Sequence, residues 1–275
     1  MDFIIYIILL LIGGCFAGLM AGMLGIGGGI ILTPILYYLF LAEGVDAKIA
    51  LTMTFATSLA VICVTMINSS RQHYKNKFIV TYNLKTMLLL GFIGSILGAL
   101  TSKYVNYDLL KIIFGVLCIL SVFCIAIIKV PQNDKLLNKN KLTLDLISLI
   151  GGILSGLIGP AGGTILIPIF IAYLKYPMHK TIGTTSILSI PTAIGGILMY
   201  TYLGMQVPNL TSYSIGYIAL IPFIILTITS IPVSTYAARL SKKVNNKILK
   251  ILQVIIITYK GLQMMGIIDL ILSFI

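Results

Sequence analysis

Two short runs in this chain consist mostly of bare backbone: Gly25-Ile26-Gly27-Gly28-Gly29 and Gly159-Pro160-Ala161-Gly162-Gly163. Glycine has no side chain to cover its N–H. A helix that starts after such a run presents unpaired N–H donors and a positive dipole end, which together suit an anion. The candidate donors are Gly25, Gly27, Gly28, Gly29, Gly159, Gly162 and Gly163. Hydroxyls can add to them: Thr33 and Thr164 beside the runs, Thr57 and Ser58 further along, and Thr184, Thr185 and Ser186 in the second half. The competing reading is that the glycines let helices pack closely and the hydroxyls satisfy helix backbone.

Other chemistries lack their residues. Neither run ends in Gly-Lys-Ser/Thr, so a phosphate-cradling nucleotide loop is not expected, and no strand–helix context supports a dinucleotide fingerprint. There are 2 histidines and 7 acidic residues in all, with no cluster fit for a metal or a nucleophile–base pair. Cys15, Cys63, Cys118 and Cys124 lack CxxC spacing and lie in apolar runs, so they read as small apolar residues. No cofactor, no metal and no enzymatic activity are expected.

The elements that must carry these runs follow from composition. Of 275 residues, 59% are apolar and 9% charged, against about a quarter charged in globular proteins. The chain reads as an all-α, multi-pass integral membrane protein, with the lipid bilayer as its main partner. Its apolar segments are 3–24, 30–42, 47–67, 84–102, 109–130, 143–158, 164–176, 181–203, 213–238 and 247–273. The longer ones, at about 19 residues or more, can cross the hydrocarbon core. Segments 30–42 and 164–176 are too short, and each follows a glycine run at which a helix must stop. Residues 1–24 do not read as a cleaved signal peptide, since Asp2 stands where a basic start is expected.

The two runs also match each other. The stretch from Gly22 to Pro34 aligns without gaps to Gly156 to Pro168, and Ala56-Thr57-Ser58 matches Gly183-Thr184-Thr185. Two homologous halves are expected: a transmembrane repeat over 1–130, a cytoplasmic linker over 131–141, and a second repeat over 142–275.

The net charge is +12, but the basic residues sit in short loops, which speaks for membrane topology and against nucleic acid. Arg71, Lys75, Lys77 and Lys85 mark 68–85. Lys129, Lys135, Lys139 and Lys141 mark 129–145. Arg239, Lys242, Lys243, Lys247 and Lys250 mark 239–250. All three should face the cytoplasm. The uncharged 204–212 loop and the 41–48 stretch, with Glu43 and Asp46 against Lys48, should face outward. Segment 47–67 then runs inward and its counterpart 181–203 outward. The fold class that follows is two inverted repeats of about five helical segments, each with a Gly-rich broken helix or reentrant hairpin.

The paired glycine motifs, Pro34 and Pro168 after them, the Ala-Thr-Ser element, and His73 in a basic loop before Phe78 resemble the sulfite exporter TauE/SafE family over nearly the whole chain. The resemblance implies an integral membrane transporter for small anions such as sulfite, sulfoacetate or related organic acids. Pro160 and Ala161 depart from the first motif's Ile26 and Gly27.

Lys260 lies mid-segment, seven residues after Gln253 on one helical face, and intramembrane lysines are candidates for function. It is not part of the family motif. The acidic residues Glu43, Asp46, Asp108, Asp145 and Asp269 fall near segment ends, so a facilitated anion path without proton coupling is the expectation. His73 and His179 at loop edges read as caps or contacts with water or headgroups. Tyr6, Tyr104, Tyr107, Tyr200 and Tyr202 read as interfacial anchors, and Pro191, Pro222 and Pro232 as kinks. The leading reading is an exporter of small anions in the cell membrane, its substrate held at the glycine breaks near the midplane. The alternatives are a channel-like anion pore or a membrane receptor or structural protein. A homo-oligomer stays open.

Overall fold

A computed structural model describes residues 3–105, 107–127, 140–159, 162–207, 210–211 and 213–265. Its helices are α1 (Phe3–Leu24), α2 (Gly29–Ala42), α3 (Ala47–Lys75), α4 (Leu84–Ser102), α5 (Tyr107–Ile127), α6 (Lys141–Ile158), α7 (Gly162–Ala172), α8 (Met178–Gly204), α9 (Leu220–Ser241) and α10 (Asn246–Met264). Two-residue strands β1 (Ser214–Ile215) and β2 (Ile218–Ala219) pair antiparallel ahead of α9. Among the described residues six helices, α1, α3, α4, α6, α8 and α9, are long and apolar enough to cross a membrane.

The first glycine break is the tip of a hairpin, and the helices on either side of the second also run antiparallel. α2 runs back along α1: Gly28 rests on Ala17, Ile35 reaches Gly13, and Glu43 at the end of α2 is hydrogen-bonded to Tyr6 near the start of α1. α7 runs back along α6: Leu166 meets Gly151, and Ala172 and Tyr173 share an apolar groove with Thr143 and Leu146.

Around these hairpins the packing is reciprocal. Gly18 and Gly22 of α1 lie against the backbone of Ser230, Ser234 and Ala238 in α9. Gly152 and Gly156 of α6 lie in the same way against Gly91, Ser95 and Ala99 in α4. Without side chains between them the helix backbones approach closely, which is how helices gain contact where lipid is as apolar as leucine.

α3 and α8 form the centre and are the most buried of the spans. They run antiparallel. Phe78, just past the end of α3, stacks on His179 in the first turn of α8, while Lys48 at the start of α3 and Gln206 just past α8 line one cavity at the other end. The basic ends gather on one face. Arg239 donates to Gln72, Asn83 donates to Asp145 at 2.7 Å, and Lys250 donates to the Ala126 carbonyl.

Three sequence expectations need correction. α3 runs on to Lys75, so His73 lies on a helix and not in a loop. Residues 213–219 form the β1–β2 turn, not the start of a helix. Tyr200 is no interfacial anchor: it is 1% exposed. Tyr104 and Tyr202 are exposed, as anchors should be, while the side chain of Tyr107 lies outside the described residues. All four cysteines are free; Cys15 and Cys124 are exposed, Cys63 is half-buried and Cys118 is buried.

Candidate functional site

At the first break Gly25, Gly27 and Gly28 have φ of 68°, 81° and 70°, the left-handed region that side chains disfavour. There is also no room for a side chain. A Cβ on Gly25 would stand 2.7 Å from the Ile182 carbonyl oxygen and 3.0 Å from Ser186 Oγ, and one on Gly27 would press on Ile62. The tip is thus wedged between α3 and α8. No side chain caps α2; the Ile31 and Leu32 N–H groups both turn to the Gly28 carbonyl, at 3.1 and 3.3 Å.

The last carbonyls of α1 are satisfied from outside the helix. Ala21 O takes the Ser69 hydroxyl at 3.2 Å, Gly22 O takes His73 Nε2 at 3.0 Å, and Leu24 O takes Gln253 Nε2 at 3.1 Å. A carbonyl only accepts, so His73 carries a proton on Nε2. His73 and Gln253 are both fully buried. Phe78 lies beside His73, ring centroids 6.1 Å apart, and stacks on His179 at 4.8 Å.

The second break repeats this with other residues. Gly159 has φ 73° and packs on Phe55 of α3. Tyr200 donates to the Gly156 carbonyl at 2.9 Å, the bond that His73 makes to Gly22 at the first break. Ser155 donates to the Gly159 carbonyl. Gly162 and Gly163 open α7. Pro160, Ala161 and the side chain of Thr164 lie outside the described residues.

The hydroxyls divide into two groups. Thr57 accepts the Ala219 N–H at 3.0 Å and Thr184 accepts the Val80 N–H at 3.1 Å, so the two threonines hold the entries to α9 and α4. Thr33, Ser58, Thr185 and Ser186 donate to carbonyls of their own helices: Gly29, Phe55, Thr181 and Ile182. All six are buried. Of the residues singled out from sequence, Gly25 and Ser186 are brought together directly. Lys260 belongs to α10, but its side chain lies outside the described residues. The polar residues that sequence reasoning did not place at the breaks are Ser69, His73, Tyr200 and Gln253. Two of these carried a signal, His73 as one of two histidines and Gln253 as an amide in an apolar run.

The bundle of hairpin-tipped apolar helices agrees with comparison to known proteins. The family model described as sulfite exporter TauE/SafE matches residues 10–264. The chain belongs to the sulfite exporter TauE/SafE family. Within this family's reach, it is 31% identical to a probable membrane transporter protein of Methanocaldococcus jannaschii, covering 96% of this chain and 97% of that one. It is 27% identical to a probable membrane transporter protein of Haemophilus influenzae, covering 89% and 92%. The protein YunE of Bacillus subtilis, also named a probable membrane transporter, is 25% identical over 74% and 80%. No solved structure matches. As a TauE/SafE member with six apolar spans, the protein is a multi-pass transporter of the cell membrane.

Proposed function

We propose that the protein exports small anions such as sulfite, organosulfonates or related organic acids, and that the anion is held at the glycine breaks, deep in the bilayer. The observation that carries this reading is the first break itself. It is a buried tip, all glycine but for Ile26, with an uncapped helix start, pressed between the two central helices. Irregular backbone at membrane depth persists only where protein or a wet cavity surrounds it, and N–H groups in that position suit a negative solute.

On this reading the two halves are inverted repeats, and rocking one against the other exposes the site alternately. The antiparallel course of α3 and α8 and the reciprocal bonds of Thr57 and Thr184 support it. An inside-negative potential drives a monovalent anion outward by about 2.3 kcal/mol per 100 mV, so export needs no other coupling. The test is flux in proteoliposomes with sulfite, sulfate, sulfoacetate and small carboxylates, with and without an imposed voltage. Saturable, voltage-accelerated flux of at least one of them supports the reading; no flux of any sinks it.

A further inference from the structure

The end of the bundle opposite the basic loops holds a cavity of about 410 Å³ that the central site does not account for. The start of α3, the end of α4, the end of α8 and the β1–β2 turn enclose it. Its polar lining is Lys48, Thr52, Ser102, Lys103, Gln206 and Tyr217, and Ile49, Leu203 and Val207 supply an apolar wall. Two lysines therefore line one cavity, and none of the residues lining it is acidic. Asp46 is near in sequence, but its Oδ1 accepts the Lys48 backbone N–H at 3.0 Å and caps α3. An anion in a partly enclosed space lined by two lysines and no carboxylate is attracted by both.

The cavity shares two elements with the centre of the molecule, α3 and the β1–β2 turn. Thr52 lies on α3 just over one turn before Thr57. Tyr217 lies two residues before Ala219, whose N–H is bound to Thr57. The residues that floor the cavity thus belong to the same local structure as the threonine that ties α3 to α9.

We infer that this cavity is a second anion site, a vestibule that takes a carboxylate or sulfonate on a short carbon chain on the face opposite the basic loops. Lys48 and Lys103 bind the charged group. Gln206 donates a further hydrogen bond through its amide, while the Thr52 hydroxyl is spent on the Lys48 carbonyl at 3.0 Å. Leu203 and Val207 cover the carbon chain, which favours an organic anion over sulfate. A cavity of this size takes such an ion with water around it, a water's share being about 30 Å³. The transport role of the vestibule rests on the proposed function; the binding site itself does not.

A lipid phosphate entering from the bilayer would offer the same chemistry, so the test separates the two. Full-length protein in phosphatidylcholine nanodiscs is titrated with sulfoacetate, with sulfate, and separately with phosphatidylglycerol added to the disc. Wild type is compared with Lys103→Gln and with the double variant Lys48→Gln/Lys103→Gln. Both lysines are exposed, so folding should survive, and circular dichroism checks it. Sulfoacetate should bind wild type in a salt-sensitive way and more tightly than sulfate. The double variant should lose roughly tenfold in affinity, with Lys103→Gln between the two. Equal sulfoacetate affinity in wild type and double variant overturns the proposal. Lysine-dependent stabilisation by phosphatidylglycerol without sulfoacetate binding also overturns it, and assigns the cavity to lipid. If lysine-dependent binding holds but proteoliposomes carry no anion, the vestibule stands and the transport reading falls. If flux holds and binding ignores the lysines, the reverse is true.

Discussion

Tyr200 donates its hydroxyl to the carbonyl oxygen of Gly156 at 2.9 Å, one turn before the second glycine break, just as His73 meets Gly22 before the first. Two unlike side chains thus do one job, supplying a donor to a carbonyl that a terminating helix leaves without an internal partner. α3 holds the end of α1, and α8 holds the end of α6. Each break is thereby fixed to the central α3–α8 pair and is not free to fray.

Removing the donor should therefore loosen the break. Tyr200→Phe and His73→Phe each leave a buried carbonyl short of its partner, which costs about 1–3 kcal/mol. His73→Gln, which retains an N–H donor, should cost less than His73→Phe. Apparent melting temperature in detergent, followed by circular dichroism, checks the order. Equal values for His73→Gln and His73→Phe would mean that ring packing against Phe78, not the hydrogen bond, sets the stability.

Thr57 and Ala219 are 162 residues apart in sequence, and Thr184 and Val80 are 104 apart, yet each pair is joined by a hydrogen bond. Thr57→Val keeps the shape and strands the Ala219 N–H in a buried place. A loss of about 1–3 kcal/mol is expected, with Thr57→Ser close to wild type. Thr184→Val should behave alike at Val80. Hydrogen exchange at the two amides is the direct readout: each should speed up in its own variant alone.

The glycine breaks offer a controlled comparison. Gly28→Ala imposes a side chain at φ 70° and drives it into the Ala17 backbone. Gly44→Ala imposes a similar φ, 81°, with nothing within 4 Å. Backbone strain alone costs about 1–2 kcal/mol, so Gly44→Ala should express and transport near normally. Gly28→Ala carries the clash in addition and should lose flux and folded yield. Similar behaviour of the two variants would remove the requirement for close approach at the first tip.

Much of this architecture was written in the hydropathy and glycine spacing. The limits of α1 and α4 coincide with the apolar segments 3–24 and 84–102, because α1 ends where the glycine run begins and α4 ends just before Lys103, where polar residues begin. α3 outruns its apolar segment, 47–67, for a physical reason. Its last turns carry Ser69, Ser70, Gln72 and His73, which look like a loop, whereas Ser69 and His73 are buried to serve the α1 carbonyls. Residues 213–219 are apolar enough to be read as helix, but Gly216 at φ 55° turns them into a hairpin. The equivalence of Tyr200 and His73 could not be read from a self-comparison of the sequence, since the two share a role and not a residue type.

Glu43 gives the pH dependence a defined sign. It sits at the end of α2, hydrogen-bonded to Tyr6, and closes the open end of the first hairpin. Loss of solvent around the carboxyl raises its pKa above the ordinary 4.5, and the Tyr6 hydrogen bond only partly opposes this. The folded protein therefore holds the Glu43 proton more tightly than the unfolded chain does. The stability this contributes is fully present below the unfolded value and is lost as pH rises through the raised folded value. Glu43→Gln is neutral at every pH and keeps an acceptor for Tyr6, so it lacks that loss. The difference in apparent melting temperature between wild type and Glu43→Gln should be constant at low pH. It should then move in favour of the variant from about pH 4.5 upward. Melting curves taken in steps from acid to neutral pH in one detergent measure it. A difference that moves toward wild type over that range would show that the Tyr6 bond outweighs the loss of solvent and that the carboxylate is the form the fold prefers.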